Sequence, residues 1–171
     1  MSKKIVLTVL ILVSLVLTSS CSLGGSRIEM LNNSEDKRAD ARMEQIISAL
    51  KETDKEALKV LFSKKALDEA NDFDGEVNSL FELVQGKIES WERGGFASGA
   101  SMGGGKKSWM IRFGFDVKTD ESSYHFFVID YNIDTISPDN QGVYMLELIE
   151  NYGEVELESW QDRMRAGIYI H

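Results

Sequence analysis

Apolar positions along this chain repeat at two different periods, and the change between them falls near residue 95. Met43, Ile46, Ile47 and Leu50 recur at the spacing of one helix face, which predicts a first helix over roughly Asp36 to Lys51. Thr53-Asp-Lys-Glu56 fits a capping box, with the Thr53 hydroxyl accepting from an orphan backbone N–H and Glu56 reaching back. It opens a second helix whose inner face is Ala57, Leu58, Leu61 and Phe62 and which ends between Leu67 and Ala70. Val77, Leu80, Phe81, Val84, Ile88 and Trp91 then keep one stripe over four turns, a third helix capped by Asp72 or Asp74 and stopped at Gly94-Gly95. Beyond that point the period becomes two. Trp109, Ile111, Phe113, Phe115 and Val117 alternate with Met110, Arg112, Gly114 and Asp116, as a half-buried strand requires. Tyr124 to Ile133 is aromatic and β-branched on both faces and reads as a central strand. Val143 to Ile149 is a third strand, Phe96 to Met102 an additional edge strand, and Gly167 to Ile170 a short edge strand at the end. Turns fall at Asp120–Ser123 and Pro138–Gly142. Helices first and an antiparallel meander second predict an α+β fold, the helices packed on one face of a curved antiparallel sheet.

The first residues follow neither period. Lys3 and Lys4 precede thirteen residues, Ile5 to Leu17, broken only by Thr8 and Ser14. That is the length of a signal-peptide core, whereas a membrane-crossing helix needs roughly 20 apolar residues. Leu17-Thr-Ser-Ser-Cys21 follows and resembles the lipobox of bacterial lipoprotein precursors, although Thr18 stands where an aliphatic residue is usual. The resemblance implies cleavage after residue 20, acylation of Cys21, and attachment to the outer side of a cell membrane through lipid. Cys21 is the one cysteine in the chain, so no intramolecular disulfide can form and the domain must be held by its core. Ser22 to about Asp36 is small, polar and aperiodic, and is expected to be a flexible tether. The organisation expected is thus a signal peptide at 1–20, a tether at 21–36, and a single domain at 37–171.

Charge narrows the partners. Without Lys3 and Lys4 the chain carries 17 basic against 28 acidic residues, a net charge of −11. Such a surface is repelled by phosphate backbones and anionic headgroups, which argues against nucleic acid and for a domain that stands off the membrane.

The Ile46–Leu50 helix, the Thr53-Asp-Lys-Glu-Ala57-Leu58 entry with Leu61-Phe62-Ser63, the long helix to Trp91, and the Trp109–Val117 and Tyr124–Ile133 strand pair together resemble the nuclear transport factor 2-like, or cystatin-like, cone. More narrowly, the chain looks like uncharacterised bacterial lipoproteins that carry such a domain behind a lipobox. The resemblance covers about residues 40 to 170 and implies a fold and a location. Relatives of this fold often form homodimers through the open sheet face.

Candidate chemistry is sparse. Gly99 to Ser108 is glycine-rich, but it follows a helix, leads into a strand, and lacks the first glycine and the hydroxyl that a phosphate-binding loop needs; a hairpin or bulge accounts for it. His125 and His171 lie too far apart in sequence for a zinc pattern, and Asp72, Asp74 and Glu76 suit a helix N-terminus without any ion. No metal or cofactor is implied. By analogy with ketosteroid isomerase, whose cone holds a carboxylate base, Asp130 is the catalytic candidate: in an apolar cavity near Tyr144 or Trp109, desolvation would raise its pKa. It shares its face with Tyr124, Phe126 and Val128 and could instead emerge at the sheet rim. His125, on the opposite face, reads as a structural histidine. Trp160, with Arg163 and Arg165 close by in a polar run, has the composition of a binding hot spot, the alternative being that it caps the open end of the sheet. The expected function is a lipid-anchored, non-catalytic binding or accessory module of the cell envelope. Its ligand would be a protein partner or a small apolar molecule in the cone. The rival is a small isomerase- or dehydratase-type enzyme using Asp130.

Overall fold

Four helices precede a five-stranded sheet among the described residues, 22–154 and 167–171, of the computed structural model. The helices are α1 (Ser22–Glu52), α2 (Lys55–Lys59), α3 (Lys64–Glu69) and α4 (Phe73–Leu83). The strands are β1 (Ile88–Gly103), β2 (Lys106–Thr119), β3 (Ser123–Asp134), β4 (Gly142–Glu150) and β5 (Gly167–Ile170), side by side in chain order. The chain divides into two units, residues 1–38 and 39–171, and the α+β fold belongs to the second.

The inner face of the sheet is built as the alternation predicts. Ile111, Phe113, Phe115 and Val117 of β2, Tyr124, Phe126 and Val128 of β3, and Leu146 and Leu148 of β4 form one cluster with Met43, Ile46, Ile47 and Leu50 of α1. Edge-to-face contacts at 5.1 Å between Trp91 and Phe115 and at 5.6 Å between Phe113 and Phe115 tighten it. Register shifts at Ile88/Ser90 and Arg93/Phe96 in β1, Trp109/Met110 in β2 and Ile129/Asp130 in β3 bend the strands, and the sheet curves around the helices.

Several elements differ from expectation, each for a local reason. α1 starts at Ser22, where a tether was expected, and not near Asp36. Thr53 does not cap the second helix. It ends the first, with φ +54°, while the N–H groups of Thr53 and Asp54 close onto the carbonyls of Leu50 and Ala49 in a Schellman arrangement. The cap is Asp54, whose carboxylate accepts from the Ala57 N–H at 2.8 Å. The expected single second helix is two, because Phe62 leaves it to bridge Val143: the Ser63 N–H donates to the Val143 carbonyl and the Val143 N–H to the Leu61 carbonyl. Ser63 then caps α3. Gly142 makes this approach possible, since at its φ of +121° a Cβ would lie 3.0 Å from both the Leu61 oxygen and the Ser63 nitrogen.

The third helix stops at Leu83 and not at Gly94. Ile88 and Trp91 belong to β1, which also takes in the Phe96–Met102 segment. Asp72 is the residue that caps it. The Tyr124 hydroxyl clamps its end, accepting from the Gln85 N–H and donating to the Leu83 carbonyl. The sheet is mixed and not wholly antiparallel, because β5 runs parallel to β4. The stretch from 151 to 166 is long enough for the crossover that a parallel neighbour requires. The glycine-rich segment before Trp109 is the β1–β2 hairpin, with Gly104 and Gly105 at φ +59° and +77° in the two-residue turn. The loop after β3 is organised by buried Asp134, which accepts from the N–H groups of Ile136 and Ser137, the Asn140 amide and the Ser108 hydroxyl.

Two expectations follow. Thr53→Gly removes the cost of a β-branched residue in the left-handed region, and a chemical denaturation curve should show a gain of roughly 0.5–1 kcal/mol, less than the ~1–2 kcal/mol steric cost because glycine is freer when unfolded. Burial opposes ionisation of Asp134, but the bonds from Asn140, Ser137, Ser108 and Ile136 outweigh it and hold its pKa below the ordinary 3.8. The stabilisation is therefore present above that value and is lost as pH falls through the lowered folded pKa. Melts of the wild type and Asp134→Asn should differ at pH 7 and converge in stronger acid.

Candidate functional site

Asp130 lies on the inner face of β3, opposite Ile111 of β2 and Val143 of β4, just after the Ile129/Asp130 bulge. It is 5% exposed and does not emerge at the sheet rim. In place of an open cavity it meets Arg42 of α1, whose Nε donates to one carboxylate oxygen at 2.9 Å and whose Nη2 donates to the other at 3.4 Å. Arg42 flanks the apolar stripe of α1 and also donates to the Gln45 amide oxygen, so its guanidinium is held on two sides. Both carboxylate oxygens are thus engaged by a guanidinium that remains charged at any physiological pH. Tyr144, expected beside Asp130, directs its hydroxyl to Glu69 of α3 at 3.1 Å. Burial, with Glu69 adding to it, pushes the Tyr144 pKa up to about 12.

His125 sits on the opposite face. Its Nδ1 is 2.7 Å from an oxygen of Asp116, its neighbour on β2, and its ring stacks at 4.1 Å on Tyr152. Underneath is Gly114, where a Cβ would fall 2.7 Å from Nε2, so only glycine leaves room for the imidazole. The ring is packed between strand and tyrosine, the environment of a structural histidine. A shallow recess beside it, about 440 Å³, is lined by residues that include Glu92, Asp116, Lys118 and Tyr152.

The carboxylates of the 72–76 segment each have a protein role close at hand: Asp72 accepts from the Gly75 N–H, Asp74 pairs with Lys59 at 2.7 Å, and Glu76 stands in the first turn of α4. A second cavity, about 450 Å³, opens where α1 ends, α4 ends and β1 begins, with Leu50, Phe81, Val84 and Ile88 as its apolar lining and Lys51, Thr53 and Lys87 at its polar side. Neither Arg42 nor this cavity was foreseen from sequence. A carboxylate inside the most apolar strand announces that some cation must meet it, but among many basic residues only the fold selects Arg42. Cys21, Trp160 and Arg163 lie outside the described residues.

The Arg42–Asp130 pair is half-shielded, with side-chain exposures of 22% and 7%. Arg42→Met leaves the carboxylate buried and unpaired, and should destabilise the domain by about 2–3 kcal/mol in denaturation, below the ~3–5 kcal/mol of a fully buried pair because water reaches the guanidinium. Arg42→Met combined with Asp130→Leu should recover most of that loss.

The comparison with curated proteins yields no match. The family described as domain of unknown function DUF5104 matches residues 45–151, from the middle of α1 through β4, a span that holds Asp116, His125 and Asp130 but not Arg42. That span is more than half of the chain, and the chain belongs to this family.

Proposed function

We propose that this protein is an extracytoplasmic lipoprotein, anchored through acylated Cys21, whose nuclear transport factor 2-like domain is a non-catalytic binding or accessory module of the cell envelope. The anchor rests on Lys3-Lys4, the Ile5–Leu17 apolar run and the position of the sole cysteine. Two or three acyl chains on one residue give stable attachment where a single chain does not. The order of helices before a curved meander supports the cone-like architecture. One observation carries the non-catalytic reading: the most plausible base, Asp130, is bound by Arg42 through both oxygens, inside a face where Phe113, Phe115, Phe126 and Leu148 are at most 1% exposed. A base of the isomerase type needs an open apolar space in front of its carboxylate, and here a cation fills that position. A partner would then engage the outside of the domain, with Trp160 and Arg163 as the anchor residues.

The proposal is tested in cells expressing the full chain and fed labelled palmitate. Incorporation into the protein, abolished by Cys21→Ser together with loss from the membrane fraction, is the expected result. Undiminished label in Cys21→Ser would remove the anchor from the reading. In the same cells, crosslinking should trap a partner whose yield falls at least several-fold in Trp160→Ala or Arg163→Ala; equal yields would place the contact elsewhere.

A further inference from the structure

The cavity at the end of α1 joins an apolar wall to a cationic edge. One wall is apolar: Leu50 from α1, Phe81 and Val84 from α4 and its cap, and Ile88 from the first residue of β1. At its edge stand Lys51 and Lys87, both exposed, and neither ammonium has an ion-pair partner among the described residues. Three lysines of the neighbouring helices differ: Lys59 pairs with Asp74, Lys64 with Asp68, and Lys65 lies near Glu69. In a chain of net charge −9, Lys51 and Lys87 place two ammonium groups at the edge of one hollow, with Asp120 and Glu121 behind them at Gly86.

The walls are fixed independently of any occupant. The Tyr124 hydroxyl holds Leu83 and Gln85 at the end of α4. The Asp120 carboxylate accepts the Lys87 N–H at 2.6 Å and fixes the backbone next to Gly86. Thr53 is held at φ +54° while its N–H and that of Asp54 cover the last carbonyls of α1, which would otherwise present negative charge to the same space. A hollow of about 450 Å³, with four apolar side chains on one side and lysine, threonine and glycine on the other, is of the size that small-molecule sites occupy.

The geometry points to a binding site for a single-chain amphiphile with an anionic head, a free medium- or long-chain fatty acid, whose chain lies on Leu50, Phe81, Val84 and Ile88 and whose carboxylate is met by Lys51 and Lys87. This inference rests on the binding-module reading of the domain, and it names the ligand; it does not depend on the lipid anchor. The area of apolar contact sets affinity through chain length, and the lysines select the carboxylate over a neutral head.

The test uses the full chain in phosphatidylcholine nanodiscs and a diazirine-bearing decanoic acid, with crosslinked peptides read by mass spectrometry. Label is expected on the segments 50–53 and 81–88. Octanoate, decanoate and dodecanoate should compete with potency rising about fourfold per added methylene, the ratio that ~0.8 kcal/mol per buried methylene corresponds to, and decanol should compete at least tenfold more weakly than decanoate. Lys51→Glu with Lys87→Glu should cut labelling at least tenfold, as should Val84→Trp, which fills the hollow and keeps both charges. The same charge change at the hairpin tip, Lys106→Glu with Lys107→Glu, should leave labelling intact. Label spread evenly over the chain, decanol equal to decanoate, or both cavity variants labelled like wild type would each overturn the assignment. The mass of the peptide carrying Cys21, read from the same digest, keeps the two ideas apart. An acylated Cys21 with an unlabelled cavity removes only the ligand, and a labelled cavity with free Cys21 removes only the anchor.

Discussion

Met43, Ile46 and Leu50 of α1 against Phe113, Phe115, Phe126 and Leu148 of the sheet form the contact on which the other elements of the domain depend. With one cysteine in the chain there is no internal crosslink to supplement it, so the domain is held by the apolar area removed from water on this face. Each peripheral element is positioned by reference to that layer. The α2–α3 junction is tied to the first residues of β4, α4 is clamped at its end by Tyr124, and β5 continues the sheet beyond β4. Curvature serves the same contact, since the bulges in β1, β2 and β3 let one sheet wrap the helix side where a flat sheet would leave gaps.

Within that layer the Arg42–Asp130 pair is an exception that must be explained by something other than stability. Replacing such a pair with apolar side chains of similar size is often neutral or favourable, because both ions surrender their hydration. What the pair does supply is register. Arg42 can satisfy the carboxylate only when α1 lies over β3 at one axial position, so a helix slid by a turn would strand a buried charge. Asp130 follows a bulge, which is also where strand register is most easily lost, and the salt bridge pins both elements at that point.

Much of this was legible in the sequence, and the misreadings share a cause. The α1 face and the β2 alternation are long patterns, and they bury the residues their periods select except Trp109, which precedes the irregularity at Trp109/Met110 and is only half-buried. Ile88 and Trp91 deceived because they sit three apart, a helical interval, after Val84. In β1 the extra residue of the bulge between Ile88 and Ser90 returns both side chains to the inner face, so a strand carries a helix-like spacing. Thr53-Asp-Lys-Glu contains two residues able to cap, and the choice falls to Asp54 because the end of α1 needs Thr53 in a left-handed turn. The break at Ser63 comes from a partner strand eighty residues away, which no local pattern encodes.

The same distinction applies to the candidate sites. Asp130 stood out because a carboxylate in an apolar strand is conspicuous, yet its meaning reversed once its partner was known: a lone buried acid is a candidate base, and a buried acid held by arginine is a structural tie. The cavity by Lys51 and Lys87 left no trace in the sequence, because its lining comes from three elements and each contributes residues ordinary for its own position. A surface hollow is defined by what neighbouring elements fail to fill. Here α4 ends at Leu83, and the chain turns at Gly86 with φ +81° before β1 begins. That turn carries the backbone away from the end of α1 and leaves Leu50, Phe81, Val84 and Ile88 around an opening that no side chain of the described residues closes.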